Sequence, residues 1–373
     1  MPLAAIPALV LALALSGASS ESVLARAEAG DPAAMSALGS MYARGQDVVQ
    51  DDDASRRWYQ KAAEAGDAKG MLALGARYAR GVGVARDDAK AVEWYTKAAH
   101  AGSADAMFLL ASMQARGRGV AKSEQAAFVW MRKAADAGHA RAMNAVGAAY
   151  ATGAGVARDG SAACAWYRKA IEAGDVHAMS NLAIAYLDGN GVGKDRAEAV
   201  RWFTTAAESG NVSAMVMLGD LFSRGERSMR DDDAAIRWYA RAVDAGDARA
   251  MTSLGAMFAD GKGTLEPKPA EAARLFMAAA REGVPEAMLN LAGLHREGRG
   301  VEKSAEEAYF WATNGARSMR GEMRQRALAF AKRAGAKLDA ETRVAVESRA
   351  QAWLARAAGE DGPATAAAEP NER

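Results

Sequence analysis

Few residues in this chain have the types and spacing that chemistry requires. Cys164 is its one cysteine, so neither an intrachain disulfide nor a cysteine metal cluster can be built. The four histidines, His100, His139, His177 and His295, never come closer than 38 positions, whereas a zinc site draws paired ligands from a few residues apart. They therefore read as loop or inter-helix residues. No Ser-x-x-Lys is followed by the other motifs of acyl transfer, and no nucleophile stands beside a repeated histidine and acid. The sequence thus offers no catalytic residue, no metal ligand set and no cofactor site, and it reads as a non-enzyme. Lys and Arg total 47 against 46 Asp and Glu, with Arg balanced by Asp within almost every segment, which removes a general pull toward nucleic acid. Charged recognition has to be local.

The elements that would position any such local site are repeated. Met35, Met71, Met107, Met143, Met179, Met215 and Met251 stand 36 residues apart, and Met288 follows after 37. Gly45, Gly81, Gly117, Gly153, Gly189, Gly225, Gly261 and Gly298 keep that step. Trp58, Trp94, Trp130, Trp166, Trp202 and Trp238 do so as well, Leu275 takes the place in the seventh unit, and Trp311 restores it. Within a unit, Asp67 caps a helix A that carries Met71, Leu74 and Tyr78 on one face and ends at Gly81. After the turn Gly81 to Val84, Asp87 caps a helix B that runs through Ala91, Trp94 and Ala99 and stops before Gly102. Asp51, Ser123, Asp159, Asp195, Asp231 and Ser304 hold the same capping place, while Lys268-Pro269 departs from it at the one-residue insertion. Pro is tolerated at a first helical position, so that helix is expected to survive.

Gly39, Gly75, Gly147, Gly219 and Gly255 lie inside helix A, where each costs ~1 kcal/mol relative to Ala. A recurrent cost implies a recurrent gain, and close approach of a neighbouring helix supplies one. The Met and Trp columns are expected to be the layers between helices, with ~3–5 kcal/mol lost on truncating one buried Trp.

The pattern Ala-x-x-Gly-x-x-x-Ala-Met-x-x-Leu-Gly-x-x-Tyr-x-x-Gly-x-Gly-Val, followed by Asp-x-x-x-Ala-x-x-Trp-Tyr-x-Lys-Ala-Ala, is most complete from Ala63 to Ala99. It resembles the SEL-one-like repeat (SLR), a relative of the tetratricopeptide repeat. The resemblance implies an all-α fold, a right-handed α/α superhelix of eight helix-turn-helix units, and a mode of action as scaffold, adaptor or regulator toward protein or peptide partners. A cysteine-rich secreted branch of that family includes β-lactamase-like proteins, but it staples its repeats with regular Cys pairs that this chain lacks. Gln114 and His295 replace the helix-A Tyr, and the seventh unit lacks Trp.

The expected organisation is a signal peptide over 1–18, an N-terminal capping half-repeat over 19–30, eight repeats over 31–317, C-terminal capping helices over 318–358 and a disordered tail over 359–373. Leu3 to Leu15 form an apolar run too short to span a bilayer, and Ser16-Gly17-Ala18 suits cleavage, although no Lys or Arg precedes the run. The expectation is a periplasmic or secreted protein without an integral membrane segment. The alternative is a cytosolic adaptor whose first helix is that run.

If Met71, Leu74 and Tyr78 face the stack, the row one step round helix A faces outward on the concave side. Arg44, Arg80 and Arg116 end that row in the first three units. Asp188, Asp260 and Glu297 end it in later ones, with Arg224 the exception. Leu72 and Phe108 supply apolar anchors, and Asn144 and Asp220 belong to the same row. The expectation is a groove that orients a dipolar or extended segment. The competing reading is that the charges solvate helix ends and Phe108 adds to the core.

Overall fold

The structure is a computed structural model that describes residues 20–225, 230–264 and 266–357. The signal segment expected at 1–18 and the tail expected at 359–373 lie outside the described residues. The chain divides into two compact units, residues 1–202 and 203–373. In the first, α1 (Ser20–Glu28) precedes α2 (Pro32–Arg44), α3 (Asp52–Glu64), α4 (Ala68–Arg80), α5 (Asp88–His100), α6 (Ala104–Arg116), α7 (Glu124–Asp136), α8 (Ala140–Thr152), α9 (Gly160–Glu172) and α10 (Val176–Asp188). The division falls within α11 (Arg196–Glu208). The second holds α12 (Val212–Arg224), α13 (Asp232–Asp244), α14 (Ala248–Asp260), α15 (Pro269–Arg281), α16 (Pro285–Glu297), α17 (Ala305–Ser318), α18 (Gly321–Gly335) and α19 (Ala340–Ala357). Among the described residues every regular element is a helix, and the fold is an all-α repeat of solenoid type.

Capping chemistry sets the boundaries. The Asp67 carboxylate accepts the Gly70 N–H at 2.8 Å, and Asp87 accepts that of Lys90 at 3.0 Å. Asp51, Ser123, Asp159, Asp195, Asp231 and Ser304 do the same for their helices. Each such bond satisfies an otherwise orphaned donor and is worth ~1 kcal/mol. Helix α15 lacks a side-chain cap, yet it forms behind Lys268 with Pro269 in its first turn. Helix A closes on a left-handed residue, as at Gly81 with φ 74°. Gly225 departs from this, with φ −63°.

The core rests on the Leu and Ala columns. Leu38, Leu74, Leu110, Val146, Leu182, Leu218 and Leu291 are fully buried. Beside them stand the rings that follow the Trp column by one residue, among them Tyr95, Tyr167, Tyr239 and Phe276. The helix-A glycines exist for those rings: a Cβ on Gly75 would lie 2.6 Å from the Tyr95 ring. The close approach is therefore between the two helices of one repeat, and burial pushes the Tyr167 phenol up to about 12.

The Trp column is not the inner layer that its periodicity suggested. Trp58, Trp94, Trp130 and Trp238 are only half-buried, and Trp166 and Trp311 are the buried members among those packed wholly within one unit. A cation three residues on lies over the exposed faces: Lys61 over Trp58 at 4.3 Å, Lys97 over Trp94 at 4.2 Å and Arg241 over Trp238 at 4.7 Å. Successive residues on a helix point about 100° apart, so the ring that faces helix A is the neighbour of Trp. The Met column is likewise mostly half-buried, with Met215 and Met288 the buried members.

Each unit has its own terminal closure. In the first, α1 packs Val23 and Ala27 against Ala34, Leu38 and Met41 of α2. In the second, α18 and α19 both pack on α17. There Trp311 meets Trp353 edge-on at 5.5 Å and Phe310 at 4.9 Å, in a cluster completed by Val346 and Ala350. Asp339 accepts the Thr342 N–H at 2.7 Å and so starts α19.

Candidate interaction surface

In the first unit the outward row of helix A forms a groove. Leu72, Ala73 and Ala76 of α4 face Phe108 and Leu109 of α6 across a space of about 440 Å3, with Lys69, Asp105, His139 and Arg141 on its rim. Residues three and four apart share a helix face, so Lys69, Leu72 and Ala76 line one wall and Asp105 and Phe108 the other. The two apolar anchors read from the sequence thus meet in one site. Phe108 also packs against the core around Ala142 and Val146, so the competing reading of that residue holds for one part of its surface.

His139 fixes the Phe108 ring. Its imidazole stacks on the phenyl at 4.7 Å and 24°. Its Nδ1 accepts the Ala142 N–H at 3.0 Å as the cap of α8. The hydrogen therefore sits on Nε2, which lies 3.3 Å from the Asp105 carboxylate. Sequence spacing did not reveal this role, because a histidine outside the usual capping residues carries no cap signal by itself. The rim residues Lys69 and Asp105 were findable, since each stands three positions before an anchor.

The charged ends of the row behave differently in the two units. Arg44, Arg80 and Arg116 are exposed, and none forms an ion pair among the described residues. Arg80 donates only to the Ala76 carbonyl, at 3.2 Å. Asp188 is exposed at the end of α10, and Asn144 accepts a hydrogen bond from Asn181 at 2.8 Å, tying α8 to α10. Ser36, eight residues before Arg44 on α2, is buried and donates to Asp67. In the second unit, Asp220 accepts the Tyr239 hydroxyl at 2.8 Å and lies 3.6 Å from Arg224. Glu297 pairs with Arg296 and Arg299, and the Arg296 guanidinium holds its carboxyl below the usual range. Asp260 lines a hollow beside Lys262 and Arg230. The acidic members of the second unit are thus committed locally or set beside cations, while the basic members of the first remain available.

A second groove of about 570 Å3 lies on the helix-A face of the second unit, lined by Arg224, Arg249, Thr252, Ala256, Val284, Pro285 and Asn290. It is the repeat-equivalent of the first but replaces Leu72 and Phe108 by Thr252 and Leu289, and the latter is absent from its lining.

Two ionic links join successive repeats in the first unit. Arg118 grips Asp88 in a fork, at 2.7 and 3.2 Å, and with Arg86 it draws the Asp88 carboxyl down to about 2. Arg77 is buried; it reaches Asp52 at 3.2 Å, the Ser55 hydroxyl at 2.6 Å and the Val82 carbonyl at 3.1 Å. The signal for this second link was present: Arg77 occupies a position held elsewhere by Met, Ala or Leu, and Ser55 stands in an all-Ala column. Cys164 is buried, with its thiol pushed up by burial and directed at the Asn190 carbonyl at 3.4 Å. Among the described residues, no cluster of His, Cys, Asp or Glu fit to hold a metal occurs, and no helix is long and apolar enough to cross a membrane.

The Sel1 repeat model matches the chain eight times in succession, from residues 32–67 to 285–318. Among solved structures, the chain is similar to a protective antigen present in uropathogenic Escherichia coli strains that displays an SLR fold. The two share 25% identity over 95% of this chain and 85% of the other, with a TM-score of 0.57. It is also similar to a Sel1 repeat protein from Oxalobacter formigenes, at 35% identity over 58% of this chain and 89% of the other, with a TM-score of 0.53. No curated protein matches it.

Proposed function

The chain belongs to the Sel1 repeat family, and from that premise we propose that it is an exported, non-catalytic scaffold that holds a peptide segment of a partner protein on the α4–α6 face. Sel1 repeats serve in general as interaction modules, and the observation that carries the reading for this chain is the groove between Leu72 and Phe108. An apolar floor left open between two helices, with cations around it, suits an extended segment that brings an apolar side chain and acidic flanks. Because His139 already holds the Phe108 ring, little side-chain freedom is lost on binding.

Export is supported by the apolar run Leu3 to Leu15 and by the description of the similar E. coli chain as a protective antigen, which suits a protein outside the cytoplasm. Action in envelope, secretion or signalling processes follows as the setting. The cytosolic adaptor is the second reading, favoured by the lack of Lys or Arg before the apolar run. Mass spectrometry of the mature N-terminus separates them: loss of residues 1–18 supports export, and their retention in the cytosolic fraction overturns it.

The scaffold itself is tested by affinity purification with the intact chain and with a variant carrying Arg44→Ala, Arg80→Ala, Arg116→Ala and Phe108→Ala. The expected result is a partner lost from the variant while circular dichroism stays unchanged. Retention of every partner by the folded variant contradicts the groove.

A further inference from the structure

The second unit contains a cavity that neither the repeat pattern nor the first unit's groove accounts for. It lies where the C-terminal closure meets the last repeat, encloses about 330 Å3, and is lined by Arg296, Lys303, Phe330, Arg333, Lys337 and three alanines of α17 and α18. No acidic side chain lines it. Lys303 and Lys337 are exposed and form no ion pair among the described residues. Arg333 spends its Nε on the Ala329 carbonyl at 3.2 Å. Arg296 is paired with Glu297 on one side and lies 4.8 Å over the Phe330 ring on the other. Two ammonium groups and most of a guanidinium therefore surround an aromatic floor without a counter-charge of their own.

Like charges gathered around a half-enclosed apolar hollow raise its positive potential, so the hollow favours an anionic occupant. The volume suits a single large side chain and its flanks.

We propose that this cavity is an anchor site for an acidic peptide segment of a partner protein: one aromatic side chain enters against Phe330, and flanking carboxylates pair with Lys303, Arg333 and Lys337. The site stands independently of the α4–α6 groove, since no residue is shared between them.

The test is fluorescence anisotropy of the full chain with a fluorescein-labelled decapeptide of alternating Glu and Gly around a central Phe. Expected are saturable binding that weakens as salt rises, weaker binding when the central Phe is replaced by Gly, and an affinity loss of about tenfold or more in the Lys303→Glu, Lys337→Glu double variant. A Lys69→Glu, Arg141→Glu variant, altered only at the first unit's groove, is expected to retain the binding that the Lys303→Glu, Lys337→Glu variant loses. Both lysines are exposed, so the fold is expected to persist, and a Lys303→Gln, Lys337→Gln variant gives a milder form of the same measurement. Absence of binding, or binding indifferent to the Lys303→Glu, Lys337→Glu variant, overturns the proposal. So does binding that arises only after removal of residues 358–373, which would assign the cavity to the acidic tail of the chain itself.

Discussion

Trp94 and Trp311 occupy the same position in their repeats and live in opposite surroundings. Trp94, inside the first unit, is half-buried with the Lys97 ammonium 4.2 Å over its ring. Trp311, under the closure of the second unit, is 4% exposed and wedged between Phe310 and Trp353. The difference shows that the repeat specifies an amphipathic position, and the next element decides whether it becomes core. In the middle of an array the aromatic mostly keeps one face for solvent and a cation, the exception being Trp166, which is buried with both Arg132 and Lys169 over its ring. At the end, α19 covers that face and turns the same residue into a structural anchor.

The largest expected effect follows directly. Trp311→Ala should cost ~3–5 kcal/mol in urea unfolding of the second unit, against about 1–2 kcal/mol for Trp94→Ala in the first. Equal losses would mean that α19 adds nothing to the burial of Trp311. Hydrogen exchange should confine each loss to neighbouring repeats.

The next effect contrasts two glycines inside helix A. Gly75→Ala drives a methyl group into the Tyr95 ring and should destabilise by ~1–3 kcal/mol despite the better helix propensity of Ala. Gly293 has nothing within 4 Å of where its Cβ would stand, so Gly293→Ala should stabilise by ~0.4–1 kcal/mol. Thermal unfolding of the two variants gives the signs; destabilisation by both would remove ring contact as the reason for the glycine column.

The smallest effect concerns the ionic link between repeats. Folding lowers the Asp88 carboxyl from 3.8 to about 2. Its contribution is thus complete above the unfolded value and is lost as pH falls through that window. Exchange protection in the turn around Arg118 should drop between these two pH values in the intact chain. In Asp88→Asn this pH dependence should be absent, and it should fade at high salt.

Much of the fold was legible because each repeat announces its caps, turns and Leu column at one step. Asp67, Gly81 and Asp87 mark boundaries through local chemistry, and α15 survives behind Pro269 for a reason that is also local. The inward face of helix B was misjudged, since Trp and the following Tyr are both large and apolar and only the helix phase tells which one points inward. For the candidate site, Leu72 and Phe108 could be paired from their shared register. The pairing of Asp220 with Arg224, four residues on, and of Glu297 with Arg296 and Arg299 was readable from spacing, whereas the Tyr239 hydroxyl on Asp220 was not, because it comes from another helix. The basic cavity beside Phe330 was hidden for a related reason: its cations come from α16, the following turn, and the α18 end, where the repeat has stopped.

The most direct test of the scaffold reading places a photo-crosslinking amino acid at Leu72, in the groove, and in a second variant at Glu93, on the exposed face of α5. One recurrent partner should be captured from position 72 and lost when Phe108→Ala is added, with none captured from position 93. Equal capture from both positions, or capture indifferent to Phe108, would contradict the scaffold reading.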